Sequence, residues 1–129
     1  EEKIVHGAIF GASGFRPFEL ERAGRDARGN HVAEAWRVSE ILSSRALAEE
    51  GRALSHCVYS YASSVERGHA SIWSLSLDGP KVLTIEVRNQ ARQIVQVRGK
   101  FNRAATAREL AIVAQWAGAT GLQLDLGRW

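Results

Sequence analysis

Residues 51–102 read GRALSHCVYSYASSVERGHASIWSLSLDGPKVLTIEVRNQARQIVQVRGKFN, and this stretch decides the fold. Its first part repeats apolar side chains at steps of three and four residues: Leu54, Cys57, Val58, Tyr61, Ala62 and Val65. That spacing is typical of an amphipathic helix, which Gly68 would end. The second part alternates apolar and polar residues in three runs that are separated by turn-forming residues. We therefore predict one helix followed by a three-stranded antiparallel meander.

The alternation gives the meander one apolar and one polar face. Trp73, Leu75, Leu83, Ile85 and Val97 belong to the apolar face, which we expect to pack on the helix. The opposite face carries a polar row, defined here as Ser74, Thr84, Glu86, Gln96, Arg98 and Lys100. A half-exposed antiparallel sheet is usually polar on its solvent side, so the row alone does not establish a function.

The region before this stretch predicts a β portion and a short helix. Strands are expected over Lys3–Phe10, Phe15–Leu20 and Ala35–Val38, with an exposed polar loop over Glu21–Asn30. Ser43 or Ser44 is expected to cap a short helix over Arg45–Glu50, which Gly51 would end.

The region after the stretch predicts a closing helix and a short strand. Thr106 and Glu109 have the spacing of a capping box, which marks the start of a helix. Gly118 and Gly121 are expected to end it, and the alternation over Leu122–Leu126 favours a final strand. The fold class is therefore α+β: an N-terminal β portion, a central helix on a meander, and a closing helix and strand.

Length and composition limit the classes of protein to which the chain can belong. A chain of 129 residues fits one domain, which we take as residues 1–129. The absence of methionine favours a domain excised from a longer protein. No apolar run approaches the roughly 20 residues of a membrane span, and we expect a cytoplasmic protein with no membrane contact.

Cysteine and histidine usage argues against metal and cofactor sites. The single cysteine, Cys57, forms no internal disulfide and favours a reducing compartment. The four histidines lack metal-ligand spacing. The GASG turn at residues 11–14 lacks the Lys-Ser/Thr of a phosphate loop. We predict neither a metal nor a cofactor.

Four segments resemble the PcfJ-like family in order: HCVYSYASSVERG at 56–68, SIWSL at 71–75, VLTIEV at 82–87 and IVQVRGKFN at 94–102. The lead-in WRVSEILSSRALAEEGRALSHC, at 36–57, is also similar to the family. PcfJ-like proteins occur in conjugative plasmids, phages and related mobile elements. The resemblance, which extends from about Trp36 to Trp116, implies that setting but no particular reaction.

An enzyme or toxin-type effector is one function to weigh. His56, Cys57, Glu86, Gln96 and Asn102 match the family pattern and can carry out chemistry. A cysteine nucleophile needs a lowered pKa and an oxyanion partner, whereas Cys57 falls on the apolar stripe, where thiols are usually inert. His56 points about 100° away from Cys57 on a helix and could reach the sheet, for instance Glu86. Glu86 could act as a base on the polar face.

A nucleic-acid-binding module is the favoured function. The net charge is +3 and the pI is about 9.5, and basic residues gather near the last hairpin. We expect DNA or RNA to contact Arg98, Lys100 and Arg103 through phosphates, and Phe101 through base stacking. The alternative to nucleic-acid binding is that Phe101 packs in the core and that water solvates the charged side chains. The two functions are compatible, because an enzyme that acts on nucleic acid would both bind it and catalyse a reaction on it.

A third function is a non-catalytic interaction domain, whose partners would be other domains of a longer parent protein. It needs no chemical site.

Overall fold

A six-stranded sheet organises the fold of the computed structural model, which describes residues 7–57 and 59–127. The elements in chain order are β1 (Phe18–Arg25), β2 (His31–Glu40), α1 (Ser44–Leu54), α2 (Tyr59–Glu66), β3 (Ala70–Leu77), β4 (Lys81–Arg88), β5 (Gln93–Arg98), a 3₁₀ turn (Lys100–Asn102), α3 (Ala107–Thr120) and β6 (Gln123–Leu124). The strands lie side by side in this order, and only β5 and β6 pair in parallel. The predicted α+β class is confirmed.

The three-stranded meander is confirmed as β3, β4 and β5. Ser74 pairs with Thr84, and Thr84 pairs with Arg98, so three members of the polar row lie side by side. Asp78 and Arg92 adopt positive φ in the two hairpin turns that the sequence predicts. Alternation of apolar and polar residues therefore predicts the strands, whereas the register shifts between Leu75 and Ser76 and between Glu86 and Val87 depart from a strict period of two.

The apolar face of the sheet packs against α3. Trp73 of β3 and Trp116 of α3 lie at its centre, with ring centroids 4.8 Å apart and ring planes inclined by 50°. Trp116 Nε1 donates a hydrogen bond to the Arg16 carbonyl at 2.7 Å. Because each indole is fully buried, this pair contributes a large share of the apolar burial.

The expected packing of the helices is wrong. The helical stretch after Gly51 covers the polar face of the sheet, and α3 covers the apolar one. On the polar face, α1 and α2 bury a second apolar cluster that includes Leu47, Val65 and Ile72. Period-two alternation distinguishes the two faces of a strand but does not identify which helix covers each face.

The predicted long helix is interrupted, and the predicted short helix is longer than expected. Ser43 caps α1 as expected, by accepting a hydrogen bond from the Ala46 N–H at 3.0 Å. Gly51 lies inside α1, which ends instead at Ser55, with φ 53° and ψ 47°. Cys57 is consequently exposed between α1 and α2, and its predicted position on a mid-helix apolar stripe is wrong.

The N-terminal β portion is a hairpin of β1 and β2. The first half of the loop predicted over Glu21–Asn30 is wrong, because residues up to Arg25 belong to β1. The turn is tied by Asp26, whose Oδ1 accepts hydrogen bonds from two backbone N–H groups. Half of the strand predicted over Lys3–Phe10 lies outside the described residues; within them, Ile9 forms an isolated bridge to Ser43.

The closing helix begins with the predicted capping box. Thr106 Oγ1 accepts from the Glu109 N–H at 3.1 Å, and the Glu109 carboxylate accepts from the Thr106 N–H at 2.9 Å. Gly121 ends α3 in a left-handed conformation, whereas Gly118 lies within the helix. The predicted final strand is confirmed over Gln123–Leu124.

In the part of the chain that the structure describes, no helix combines the length and apolar character needed to cross a membrane.

Replacing Trp116 with alanine should lower the free energy of unfolding by about 3–5 kcal/mol, because it leaves a cavity beside Trp73. Urea unfolding followed by circular dichroism measures the loss. Phe101→Ala is the matched control, because Phe101 is 74% exposed; its cost should stay within about 0.5 kcal/mol. Equal losses for the two variants would contradict the assignment of the core.

Candidate functional site

A cleft of about 740 Å³ opens where α1, the β3–β4 hairpin and the start of α3 meet. The size falls in the range of roughly 300–1,000 Å³ that is usual for small-molecule sites. Four basic side chains line the cleft, Lys81, Lys100, Arg103 and Arg108, together with the apolar residues Trp36, Ala53, Leu54, Leu77, Pro80 and Val82 and with Thr106 and Glu109. We refer to this feature as the basic cleft.

Three of the four cations of the basic cleft are paired with buried carboxylates. Lys81 pairs with Glu50, Arg103 with Glu109, and Arg108 with Glu34. The cationic side chains are 35%, 41% and 49% exposed, whereas their carboxylates are 0%, 12% and 6% exposed. Each pair therefore places its negative charge inside and its positive charge toward solvent.

Arg103 is held by the most fully connected of these pairs. Its two terminal nitrogens donate to both Glu109 oxygens at 2.9 Å, the bidentate geometry that suits a guanidinium. Burial opposes ionisation of Glu109, but hydrogen bonds from Arg103 and Thr106 outweigh it, and the pKa of Glu109 is lowered. A Cβ on Gly99 would lie 2.7 Å from Arg103 Cζ, so glycine leaves the room in which the guanidinium lies.

Glu34 of β2 forms contacts with two arginines and with Trp36 beside the cleft. Its carboxylate pairs with Arg108 and, at 3.4 Å, with Arg22, and it accepts a hydrogen bond from Trp36 Nε1 at 3.1 Å. The two guanidinium carbons lie 5.3 Å and 5.9 Å from the Trp36 ring centroid. These cation–π contacts fix the directions of both arginines.

Lys100 differs from the other cations, because it forms no ion pair with any carboxylate in the described residues. Its Nζ lies 5.5 Å from the centroid of the neighbouring Phe101 ring. That ring is 74% exposed and stands beside the cleft on the 3₁₀ turn. The cleft therefore offers an unpaired ammonium next to an exposed aromatic face.

A buried polar network lies between the cleft and the polar row. Thr84 Oγ1 donates to Glu50 Oε2 at 2.5 Å, and His56 Nε2 lies 3.1 Å from the same hydroxyl. Because the Thr84 proton is committed to a carboxylate, His56 Nε2 is the donor of the second hydrogen bond. His56 Nδ1 is then left buried without a hydrogen-bond partner in the described residues, an arrangement that costs about 1–3 kcal/mol.

Farther along the sheet, Tyr61 of α2 meets the polar row. Its hydroxyl donates to Gln96 Oε1 at 2.7 Å. Burial, together with the nearby charge of Glu86, raises the pKa of Tyr61. Burial also raises the pKa of Glu86, although Arg88 opposes the shift. Glu86 forms no ion pair within the described part of the chain, so only the more distant charge of Arg88 compensates its half-buried carboxyl.

Four of the five predicted catalytic residues lie around the polar row, where burial and the charges of Glu86 and Cys57 raise the pKa of Tyr61, and Asn102 lies apart from them. Glu86 and Gln96 are cross-strand neighbours, whereas His56 reaches Thr84 rather than Glu86. Cys57 is exposed in the α1–α2 connection. Asn102 lies on the exposed 3₁₀ turn, with φ 61°, and none of these five residues lines the basic cleft.

The predicted nucleic-acid-binding residues divide between two places. Lys100 and Arg103 line the basic cleft, and the exposed ring of Phe101 lies beside Lys100. The alternative in which Phe101 packs in the core is wrong. Arg98 is half-buried in the polar row, near Tyr61, and its Nη1 donates to the Val97 carbonyl at 3.3 Å.

Sequence reasoning missed the contributions of Lys81, Arg108 and the three buried carboxylates. Glu50 carries a usable signal, because it follows Leu47 by three residues and precedes Leu54 by four. A carboxylate within that apolar spacing indicates a buried, partnered charge. Lys81 and Arg108 carry no comparable signal, since only the tertiary fold brings them together.

Within residues 7–57 and 59–127, no three histidine, cysteine, aspartate or glutamate side chains are grouped so that they could hold a metal ion.

Comparison with known proteins identifies the family. The family model described as PcfJ-like protein matches residues 27–113, a span that contains the polar row and the four cations of the cleft. Neither a curated protein nor a solved structure matches the chain. The family match covers more than half of the chain, and the chain therefore belongs to the PcfJ-like protein family.

Proposed function

We propose that this PcfJ-like domain engages nucleic acid through the basic cleft and the adjoining 3₁₀ turn. One observation supports the proposal above the others: in all three ion pairs of the cleft, the carboxylate is buried and the cation is exposed. An approaching polyanion meets the cations first. The mobile-element setting that the family resemblance implies is consistent with such a ligand and stays a prediction.

The paired cations are suited to phosphate because they are already oriented. A solvated arginine or lysine loses rotamer freedom when it binds, at a cost of about 0.5–1.5 kcal/mol for each side chain. Here Glu109 and Glu34 hold Arg103 and Arg108 before any ligand arrives. The carboxylates also cancel part of the charge, so affinity should be moderate and strongly dependent on salt.

Lys100 supplies the charge that no carboxylate offsets. Its ammonium lies on the rim between the cleft and the Phe101 ring. A phosphate bound there would release counterions from the nucleic acid without first breaking an ion pair of the protein. Lys100 and Arg103 are consequently the two residues whose removal should weaken binding most.

The double variant Lys100→Ala/Arg103→Ala should reduce the slope of log K against log salt concentration by about 1.4–1.8, since each phosphate contact contributes roughly 0.7–0.9. Fluorescence anisotropy with labelled single-stranded and duplex oligonucleotides of one sequence measures the slope between about 50 and 200 mM salt. The melting temperature of the variant shows that it is folded.

Arg45→Ala/Arg67→Ala is the matched control for this measurement. It removes the same charge from two exposed arginines that do not line the cleft, and its slope should equal that of the wild type. Equal slopes for the two double variants would place binding elsewhere. No retention of either oligonucleotide at low salt would exclude nucleic-acid binding and favour an interaction domain.

Catalysis at the polar row is a second candidate, favoured by the environment of Glu86. Burial raises the pKa of this carboxyl, which brings it closer to the range where a side chain exchanges protons near neutral pH. Tyr61 and Gln96 form a hydrogen-bonded pair next to it. An enzyme or toxin-type effector could use Glu86 as base and this pair to orient a substrate.

Glu86→Gln should stabilise the protein at pH 7, and the gain should vanish as the pH falls below 4.5. The sign follows from the raised pKa: the folded state favours protonated Glu86, so its ionisation costs stability as the pH rises above the ordinary value of 4.5. Urea unfolding at both pH values, with exposed Glu49→Gln as control, measures the difference.

The same variant tests catalysis. If Glu86 is a base, Glu86→Gln abolishes any growth defect that expression of the wild-type chain causes, although the protein becomes more stable. An unchanged growth defect in a folded Glu86→Gln variant would rule out this role for Glu86.

A further inference from the structure

The 3₁₀ turn holds Phe101 in an unfavourable backbone conformation. Phe101 has φ 56° and ψ 33°, and the next residue, Asn102, also has a positive φ, of 61°. A bulky residue in the left-handed region is an outlier that costs about 1–3 kcal/mol, and such residues concentrate at binding sites. The turn therefore keeps this geometry only because its surroundings impose it.

Hydrogen bonds at the base of the turn impose the geometry. The Gly99 N–H donates to the Arg103 carbonyl at 2.9 Å, and the Arg103 N–H donates to the Lys100 carbonyl at 3.2 Å. The Asn102 N–H donates to the Gly99 carbonyl at 3.0 Å. Arg103 is in turn anchored to Glu109 by its guanidinium. Because both ends of the turn are tied, its backbone presents Phe101 at a fixed place.

The Phe101 side chain contributes little to the apolar packing of the fold. Phe101 belongs to neither apolar cluster, and 74% of its surface is exposed. The Lys100 ammonium lies 5.5 Å from the centroid of the Phe101 ring. An aromatic face that is held in a strained backbone conformation, exposed to solvent and adjacent to an ammonium group has the features of a stacking platform.

We infer that Phe101 stacks on an unpaired base and that this interface selects single-stranded nucleic acid over duplex. The inference rests on the proposed function of the basic cleft. In a duplex both faces of each base are covered by neighbouring bases, so a ring fixed on a short turn cannot reach them. In a single strand each base can turn out and expose one face.

The cations around the ring complete the site. Lys100 lies beside the ring, and Arg103, two residues beyond Phe101, lines the cleft. A base on the ring would therefore have its flanking phosphates next to these two side chains. The chemistry is common to DNA and RNA, and stacking on a flat ring requires no particular base.

The test compares a single strand with the duplex of the same sequence, by anisotropy with the full chain at one salt concentration. The wild type should bind the single strand more tightly. Phe101→Ala should weaken single-strand binding by about 5- to 150-fold, the range that alanine substitution at stacking sites gives, and should leave duplex binding unchanged. Phe101→Trp should retain the preference, whereas Phe101→Leu, which is apolar but lacks a flat ring, should lose it.

Two controls separate stacking from charge and from general hydrophobicity. An abasic strand keeps the phosphates but offers no bases, and Phe101→Ala should not change its affinity. Ile9→Ala removes another apolar side chain, 78% exposed, and should not change binding to any of the three ligands.

Equal wild-type affinity for single strand and duplex, or equal weakening of both by Phe101→Ala, would overturn single-strand selection while the proposed function stands. Absence of binding to all three ligands at low salt would overturn both. Retained preference in Phe101→Leu would show that apolar contact rather than stacking is responsible.

Discussion

The hydrogen bond from Thr84 to the buried carboxylate of Glu50 is the constraint on which the rest of the polar architecture depends. A fully buried carboxylate is tolerated only when hydrogen bonds and an opposite charge compensate it. Thr84 on β4 supplies the hydrogen bond, and Lys81 at the start of β4 supplies the charge. These contacts fix α1 over the sheet and bring its end to the mouth of the basic cleft. His56 joins the network from just beyond Ser55, where α1 stops.

The same principle recurs around the cleft with different partners. The Glu109 carboxylate is compensated by Arg103 and by a hydrogen bond from the Thr106 N–H at the cap of α3. Glu34 is compensated by two arginines that also lie over Trp36. In each case a carboxylate within the fold orients a cation at its surface. Stability and the proposed binding function therefore use the same ion pairs, and a variant that removes a cation also leaves a poorly solvated carboxylate behind.

Local signals predicted the elements well. Strict alternation identified the three strands of the meander, and Thr106 with Glu109 marked the start of α3, because both patterns reflect interactions between residues close in the chain. The first hairpin was harder to predict. The start of β1 falls within the strand predicted over Phe15–Leu20, whereas its second part contains Gly24 and charged residues and resembles a loop, and only its pairing with β2 makes it a strand. The break at Ser55 was also missed, since the apolar spacing continues through it.

The candidate site was predictable only in part, for a related reason. Lys100, Phe101 and Arg103 are consecutive or nearly so, and their basic and aromatic character is visible in the sequence. Their partners come from α1, β2 and α3, and no short-range pattern links Lys81, Arg108 and Glu34 to them. Five residues of the polar row lie on β3, β4 and β5 as predicted, whereas Lys100 lies on the 3₁₀ turn beyond β5. Alternation also does not reveal that α1 and α2 cover this face. His56 consequently lies against Thr84, and Glu86 forms no ion pair among residues 7–57 and 59–127.

The central claim is that the basic cleft and its 3₁₀ turn form a surface for a nucleic-acid strand. NMR chemical-shift mapping with a single-stranded oligonucleotide about 16 nucleotides long, near the upper limit for one single-strand-binding domain, tests it most directly. We expect the largest shifts at Lys81, Lys100, Phe101, Arg103 and Arg108, with small changes at Arg45 and Arg67. Shifts centred on the polar row or on the exposed arginines away from the cleft, or no shifts at low salt, would contradict it.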